Sequence, residues 1–279
     1  TFYKYWLTSF NTLSPSPSLS GHPTQTVQPW SCPHLPPSVQ LGPESSSADL
    51  RYRRSEESDR LASSCLSSGG KGCGNDSSIA GDWSKAASEW RKKGLPAPHG
   101  LLEQHMISVL LLTLRGSSFP ELFASAVRSW GADTDAYNAC FPYKSVHYLL
   151  TTALDGLRDG GPGGDLTVYW GTGRKLVAAQ GAQVRTGEFI LGCLNLTVAG
   201  DQATATLVNL TSSLAVDVDL FSSSPGQGDA LLVPYERFRV EGVGGWDEGS
   251  VNSYALGSPR FQARGPGFHS RVGQDRGKP

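Results

Sequence analysis

The periodicity of apolar residues changes once along this chain, near Gly164, and that change limits the fold more than any other feature of its 279 residues. Before it, apolar side chains recur at helical spacing. In YKSVHYLLTTALDGL, Val146, Leu149, Leu150, Ala153 and Leu157 share one face, and the glycines from 160 stop the pattern. In LFASAVRSW, Leu122, Ala126, Val127 and Trp130 recur in the same way. Ser118 and Glu121 ahead of it form a capping box, with Pro120 inside the first turn. Asp82 is placed to cap a helix through Trp83, Ala86, Ala87 and Trp90 that ends before Gly94 and Pro96. HMISVLLLTLRG differs, because its run from Ile107 to Leu114 is continuous rather than periodic, and it reads as a buried strand. After Gly164 come short β-rich pieces separated by Gly, Ser and Asn: LTVYW, EFILGCL, TATLVNL, LAVDVDLF, ALLVP and ERFRV. Alternation is clearest in LAVDVDLF, with Leu214, Val216, Val218 and Leu220 on one face. Helices first and strands afterwards imply an α+β domain with a mainly antiparallel sheet.

The flanks follow neither rule. Ser, Pro and Gly dominate NTLSPSPSLSGHPTQ and LASSCLSSGGKGCGNDSS, and the 38% hydrophobic content of the whole chain falls short mainly in its first 75 residues and last 30. Such stretches cannot bury enough surface to offset their ordering entropy. The expected organisation is a disordered segment over 1–78, a folded domain over 79–246 and a disordered tail over 247–279.

Charge and cysteine content remove several classes of function. Twenty-four basic against twenty-five acidic side chains give a net charge of -1, which excludes a nucleic-acid partner held mainly by counterion release and leaves small ligands and proteins. The longest apolar run is about half of the roughly 20 residues that cross a bilayer, so no transmembrane span is expected. The opening TFYKYWLTSF has neither an initiator Met nor an h-region ending in small residues, so no signal peptide is read and the sequence reads as a possible fragment. Cys32, Cys65, Cys73, Cys140 and Cys193 show neither CxxC spacing nor an even-numbered framework, and no metal is expected. Asn75, Asn195 and Asn209 lie in N-x-S/T triplets, which become glycan acceptors only in the secretory pathway.

Five local pieces occur in one order over 80–245. They are DWSKAASEWRKKG with its paired tryptophans; FPYKSVHYLLTTAL, containing Phe141, Pro142, Tyr143, Lys144, His147 and Tyr148; VYWGTG at 168–173; VRTGEF at 184–189; and PGQGDALLVPYERFRV at 225–240. In this order they resemble the vertebrate arginine-specific ecto-ADP-ribosyltransferases. The resemblance implies the ADP-ribosyltransferase fold, with amino-terminal helices, a mainly antiparallel sheet and an NAD cleft. It also implies transfer of ADP-ribose from NAD to a protein arginine with release of nicotinamide, by a monomer outside the cell or at its surface. NAD is the substrate, and protein arginine the partner.

In the family, an arginine of the VYRG-like strand holds the NAD diphosphate, a serine of F-x-S-x-S positions ribose, and a glutamate of E-x-E stabilises the cation formed at the anomeric carbon. This chain substitutes all three. Trp170 stands at the arginine position and Leu191 at the serine position. Counting forward from Pro225 puts Gln227 and Asp229 on the two glutamates, whereas counting back from Pro234 puts Ala230 on the catalytic one. The resemblance places Tyr169, Trp170, Gly171, Thr172, Phe189 and Leu191 at the cofactor, with Gln227 and Asp229 as the catalytic candidates. Arg174 and Lys175 are candidates for replacing lost phosphate charge, while His147 reads as a packed or capping histidine. GGPGGDLTVYW and SSLAVDVDLF lack the cysteines that the resemblance leads one to expect. Three functions follow as alternatives: a weakened transferase, a silent surface or interaction protein on the same fold, or a residual NAD glycohydrolase.

Overall fold

In the computed structural model, which describes residues 39–40, 52, 54–67, 79–131, 134–246 and 251–258, helices come first and the sheet second. A two-residue strand β1 (Val39–Gln40) precedes helices α1 (Glu56–Ser67), α2 (Ala80–Lys93), α3 (Glu103–Leu112), α4 (Phe119–Trp130), α5 (Thr134–Cys140) and α6 (Lys144–Asp159). Then follow β2 (Leu166–Thr172), β3 (Leu176–Val177), β4 (Gln183–Val184), β5 (Ile190–Cys193), helix α7 (Leu196–Gln202), β6 (Thr206–Ser212) and β7 (Val216–Asp217). A 3-10 turn at Asp219–Phe221 leads to β8 (Asp229–Leu232), β9 (Phe238–Trp246) and β10 (Val251–Gly257). Eight strands form one sheet in the order β4-β9-β10-β6-β2-β5-β8-β7, while β1 pairs separately with β3. Within the large sheet only β10 and β6 run parallel, so the α+β architecture with a mainly antiparallel sheet is present.

Helix α6 buries all five residues of its apolar face against α3 and the other helices. Helix α2 ends where expected: Gly94 takes a left-handed φ of 63° and donates its N–H to the Arg91 carbonyl. Its amino end differs. Ile79 precedes the helix, and Asp82 lies in the first turn, accepting a 2.9 Å bond from the Ser117 hydroxyl. Ser118 makes no cap bond in α4 either; the Ser117 oxygen accepts the Phe119 N–H at 3.0 Å, one residue earlier. The buried stripe of α4 is accordingly Phe119, Phe123, Ala126 and Val127, and Leu122 is 53% exposed.

HMISVLLLTLRG is helix α3 rather than a strand. Every residue from His105 to Leu112 is buried, so the helix has no polar face, and a helix enclosed on all sides loses the amphipathic signal that separates it from a buried strand. His105 also reaches back to accept the Leu102 N–H at 3.0 Å, satisfying one orphan donor of the first turn. LAVDVDLF likewise departs from its alternation. Pairing stops after Asp217, whose carboxylate accepts the Asp219 N–H at 3.0 Å in a local turn, and Leu220 is 60% exposed.

Three elements lie outside 79–246: β1, which pairs with β3, helix α1 and strand β10. Helix α1 inserts Ala62 and Leu66 into the helical core, and β10 is paired on both sides, by β9 and β6. Neither α1 nor β10 advertises itself: α1 buries Ser58 and Asp59 beside Ala62, Cys65 and Leu66, while β10 depends on ladder hydrogen bonds with few large side chains. Apart from 39–40, 52, 54–67 and 251–258, residues 1–78 and 247–279 lie outside the described residues, as does the triplet at Asn75. Among the described residues no helix is long and apolar enough to cross a membrane, and no three His, Cys, Asp or Glu side chains are grouped to hold a metal.

Gly171, on the strand next to the candidate site, is fixed by close packing. A Cβ there would come within 2.0 Å of the Ala199 carbonyl oxygen and 2.7 Å of the Ala203 nitrogen, both backbone atoms of α7 and its cap. Neither can move without unseating the helix. Gly171→Ala is expected to cost about 2–3 kcal/mol, read from the midpoint of urea unfolding; an unchanged midpoint would show that α7 does not pack on β2 in solution.

Candidate active site

The three signature strands β2, β5 and β8 are consecutive neighbours in the sheet, with only β7 beyond β8. Register decides which side chains share a face. Tyr169 pairs with Cys193, and Cys193 with Asp229. Leu191 pairs with Leu231, and both pack toward the helical core. Strand side chains alternate, so Tyr169, Leu191, Cys193, Asp229 and Leu231 lie on one face. Trp170 lies on the other, within a second core that contains Ile190, Ala230 and Leu232. The strands thus bring the signature positions together along the backbone, but Leu191 and Asp229 face away from Trp170 and Ala230.

Asp229 is buried at 6% exposure and accepts a hydrogen bond from the buried Ser222 hydroxyl. Burial pushes its carboxyl above the ordinary range, against the opposing effects of the Ser222 bond and nearby Arg115. The loop before it is organised by Asp219. The Asp219 carboxylate accepts the N–H groups of Gly226 and Gly228 at 2.7 Å each and of Asp229 at 3.2 Å, and these donors hold it below its usual range although its partial burial works the other way. Gly226 and Gly228 meet those contacts with φ of 90° and 76°, a region that other residues enter only with strain. Gln227, between them, is exposed, and its carbonyl accepts the Cys193 thiol at 2.8 Å. Glu236 is not a substitute carboxylate: it is buried and accepts the Ser213 N–H at 2.9 Å across the β6–β7 turn.

The remaining cofactor candidates have varied surroundings. Tyr169, Thr172 and Leu191 are half-buried, and the Thr172 hydroxyl accepts the Arg174 N–H at 3.2 Å. Phe189 belongs to the core, with its ring centre 5.6 Å from Phe123 and 5.3 Å from His147. His147 is a packed histidine: its Nδ1 meets the hydroxyls of Tyr52 at 2.8 Å and Tyr137 at 3.1 Å, and burial lowers its pKa to about 3. Arg174 is not simply exposed. Its guanidinium lies over the Trp170 ring at 5.2 Å and pairs with buried Glu188, which also binds Arg128 of α4. Arg128, Asp219 and Ser222 carry no motif, Glu188 lies in VRTGEF without being singled out there, and the sequence offered no reason to group them.

Cys193 is a free thiol, and Cys65 is disulfide-bonded. Asn195 is exposed at the start of α7, where its side-chain oxygen accepts the Thr197 N–H at 2.9 Å, whereas Asn209 sits mid-strand in β6 between Tyr169 and Ala255.

The family model for NAD:arginine ADP-ribosyltransferase matches residues 73–255, more than half of the chain. The chain belongs to that family. It is 28% identical over 195 residues to the erythroblast NAD(P)(+)--arginine ADP-ribosyltransferase of Gallus gallus, covering 69% of this chain and 62% of that relative. It is 30% identical over 175 residues to ecto-ADP-ribosyltransferase 5 of Bos taurus, covering 60% of this chain and 55% of that relative. The chain therefore spans less than two thirds of the length of these relatives. The crystal structure of the eukaryotic mono-ADP-ribosyltransferase ART2.2 matches with a TM-score of 0.64 at 23% identity, over 79% of this chain and 94% of that one. A mutant of that enzyme has been solved in complex with NAD. The ADP-ribosyltransferase fold is thereby established for this family member.

Proposed function

We propose that the chain binds NAD, breaks the bond between nicotinamide and ribose, and passes ADP-ribose to a protein arginine, far more slowly than a site with the full arginine, serine and glutamate set. The observation that supports this is Asp229, a buried carboxylate on strand β8, held by Ser222 and sharing a face with the serine-position residue Leu191. Breaking the nicotinamide bond leaves an oxocarbenium-like cation at the anomeric carbon. A fixed carboxylate beside it stabilises the transition state more than the ground state. Leu191 offers ribose no hydrogen bond, and Trp170 offers the diphosphate no charge. Each missing group removes a factor on the order of 100 to 1,000, and such factors need not multiply. Water in place of arginine makes the same bond-breaking an NAD glycohydrolysis.

The proposed place of action is the cell surface or extracellular space. The disulfide at Cys65 fits an oxidising compartment, and ecto-ADP-ribosyltransferase 5 of Bos taurus is named for such a place. A second reading, recognition without chemistry, is favoured by the apolar Leu191 and the packing of Trp170 into the core.

Calorimetric titration with NAD followed by nicotinamide release tests the first reading. Weak millimolar binding and slow release are expected. Release should rise with pH as Asp229 ionises, at a pH above the ordinary carboxylate range because its folded pKa is raised. Asp229→Asn should lower release at least about tenfold. No binding of NAD at millimolar concentration would leave recognition as the function.

A further inference from the structure

We propose that Arg128 and Arg174 form a binding site for a phosphate group, which the chain keeps filled with its own Glu188 carboxylate. Glu188 is 3% exposed and shares its two oxygens between two residues, one to Arg128 Nη1 and one to Arg174 Nη2. Neither arginine reaches it as a bidentate fork, the arrangement that best satisfies a single carboxylate. Each guanidinium keeps a further buried N–H, Arg128 Nε and Arg174 Nη1, without a hydrogen-bond partner among the described residues. The side chains themselves are 10% and 23% exposed, so the group is closed on the Arg128 side and open on the Arg174 side.

The charges point to an anion larger than a carboxylate. Two guanidiniums face one buried carboxylate, and the other acid on Arg128, Glu121 at 3.0 Å, is 72% exposed and screened by water. The second positive charge is therefore balanced only at the solvent-exposed end of the group, where the pairing is weak. A phosphate brings three acceptor oxygens and up to two negative charges, enough to occupy the unused N–H groups and balance both arginines. The supports are in place. The Trp170 ring lies 5.2 Å below the Arg174 guanidinium and fixes its plane, and Thr172 holds the Arg174 backbone. Glu188 precedes β5, whereas Cys193, which faces Asp229, ends it. At about 3.3 Å per residue the two points lie at most roughly 16 Å apart, and the bonds of Glu188 run to Arg128 and Arg174 while that of Asp229 runs to Ser222, so pyrophosphate binding is tested without the Asp229 chemistry.

Glu188→Gln removes the internal occupant while keeping its shape. In calorimetric titration with inorganic pyrophosphate, E188Q is expected to bind at least about tenfold more tightly than the parent chain, and the double variant E188Q with R174A should lose that gain. Titration with ADP-ribose and NAD then identifies the source. A parallel gain means that the site takes the diphosphate of the substrate, and a gain confined to pyrophosphate and inorganic phosphate means a separate phosphate ligand. A folded E188Q that binds pyrophosphate no better than the parent overturns the proposal. Where E188Q does not fold, Arg174→Ala decides, because Glu188 keeps Arg128 as its partner. The parent is expected to bind pyrophosphate weakly, in the millimolar range, and R174A at least about tenfold more weakly; binding by R174A equal to the parent's overturns the proposal. A chain without NAD chemistry leaves these pyrophosphate results as they are, so the two ideas fail separately.

Discussion

Replacing Leu191 by Ser and Asp229 by Glu in the same chain should raise nicotinamide release from NAD by at least about 100-fold, the scale of one positioned electrostatic group. The two positions are suited to act together. Leu191 pairs with Leu231, and Asp229 lies two residues before Leu231 on the same strand and face, so the two sites are diagonal neighbours about 7–8 Å apart. With NAD bound as proposed, the added methylene of glutamate would extend the carboxylate toward the reacting carbon, and the serine hydroxyl would give it and ribose a hydrogen-bonding partner. Leu191 is half-buried, so a smaller polar side chain there costs less than it would deep in the core. Trp170 is left in place, because its side chain packs on the opposite face under Arg174. Release under saturating NAD, measured by chromatography with circular dichroism to verify folding, checks the result. A folded double variant no faster than its parent would mean that the site has drifted beyond these residues, and the transferase reading should then be dropped.

Asp59→Ala is expected to destabilise the domain by about 3–5 kcal/mol, the cost of leaving buried partners of a charge unpaired. Asp59 projects from α1 and is 4% exposed. It accepts the Tyr148 hydroxyl at 2.8 Å and Arg54 Nε at 2.9 Å, and approaches His105 Nε2 to 3.2 Å without the alignment of a full hydrogen bond. His105 is completely buried, and burial lowers its pKa to about 4 although Asp59 pulls it upward. Without the carboxylate, the Tyr148 hydroxyl and the His105 ring stay in the core with one fewer polar neighbour. Arg54 can turn to water, so it contributes least. Urea unfolding of D59A against D59N reads the effect, with the smaller loss expected for the asparagine that keeps the shape. A cost below about 1 kcal/mol for D59A would show that α1 is not docked on the helical core.

The catalytic ambiguity illustrates what sequence patterns leave open. Gln227 with Asp229, or Ala230 alone, are separated by a count of one, and a slip by one residue turns a strand side chain to the opposite face. Pairing with Cys193 places Asp229 beside Leu191, and Ala230 joins Trp170 in the other core. A motif counted along the chain holds no information about which neighbour a strand finds. The same limit hid the Arg128–Glu188 contact, whose partners are 60 residues apart.

By itself the sequence determined what is local or covalent. Helices α2, α4 and α6 follow from apolar spacing, β2 and β6 from short β-branched runs between turn residues, and the absence of arginine at Trp170 and of serine at Leu191 from the residues themselves. The tertiary structure decided the rest. Helix α3 gave no period because it is enclosed on every side. Helix α1 and strand β10 were invisible because α1 has only a short apolar stripe, mixed with the buried Ser58 and Asp59, and β10 is held by two neighbouring strands. Spacing along a chain reports one face of one element, whereas burial, register and ion pairing are properties of surfaces that meet only after the chain has folded.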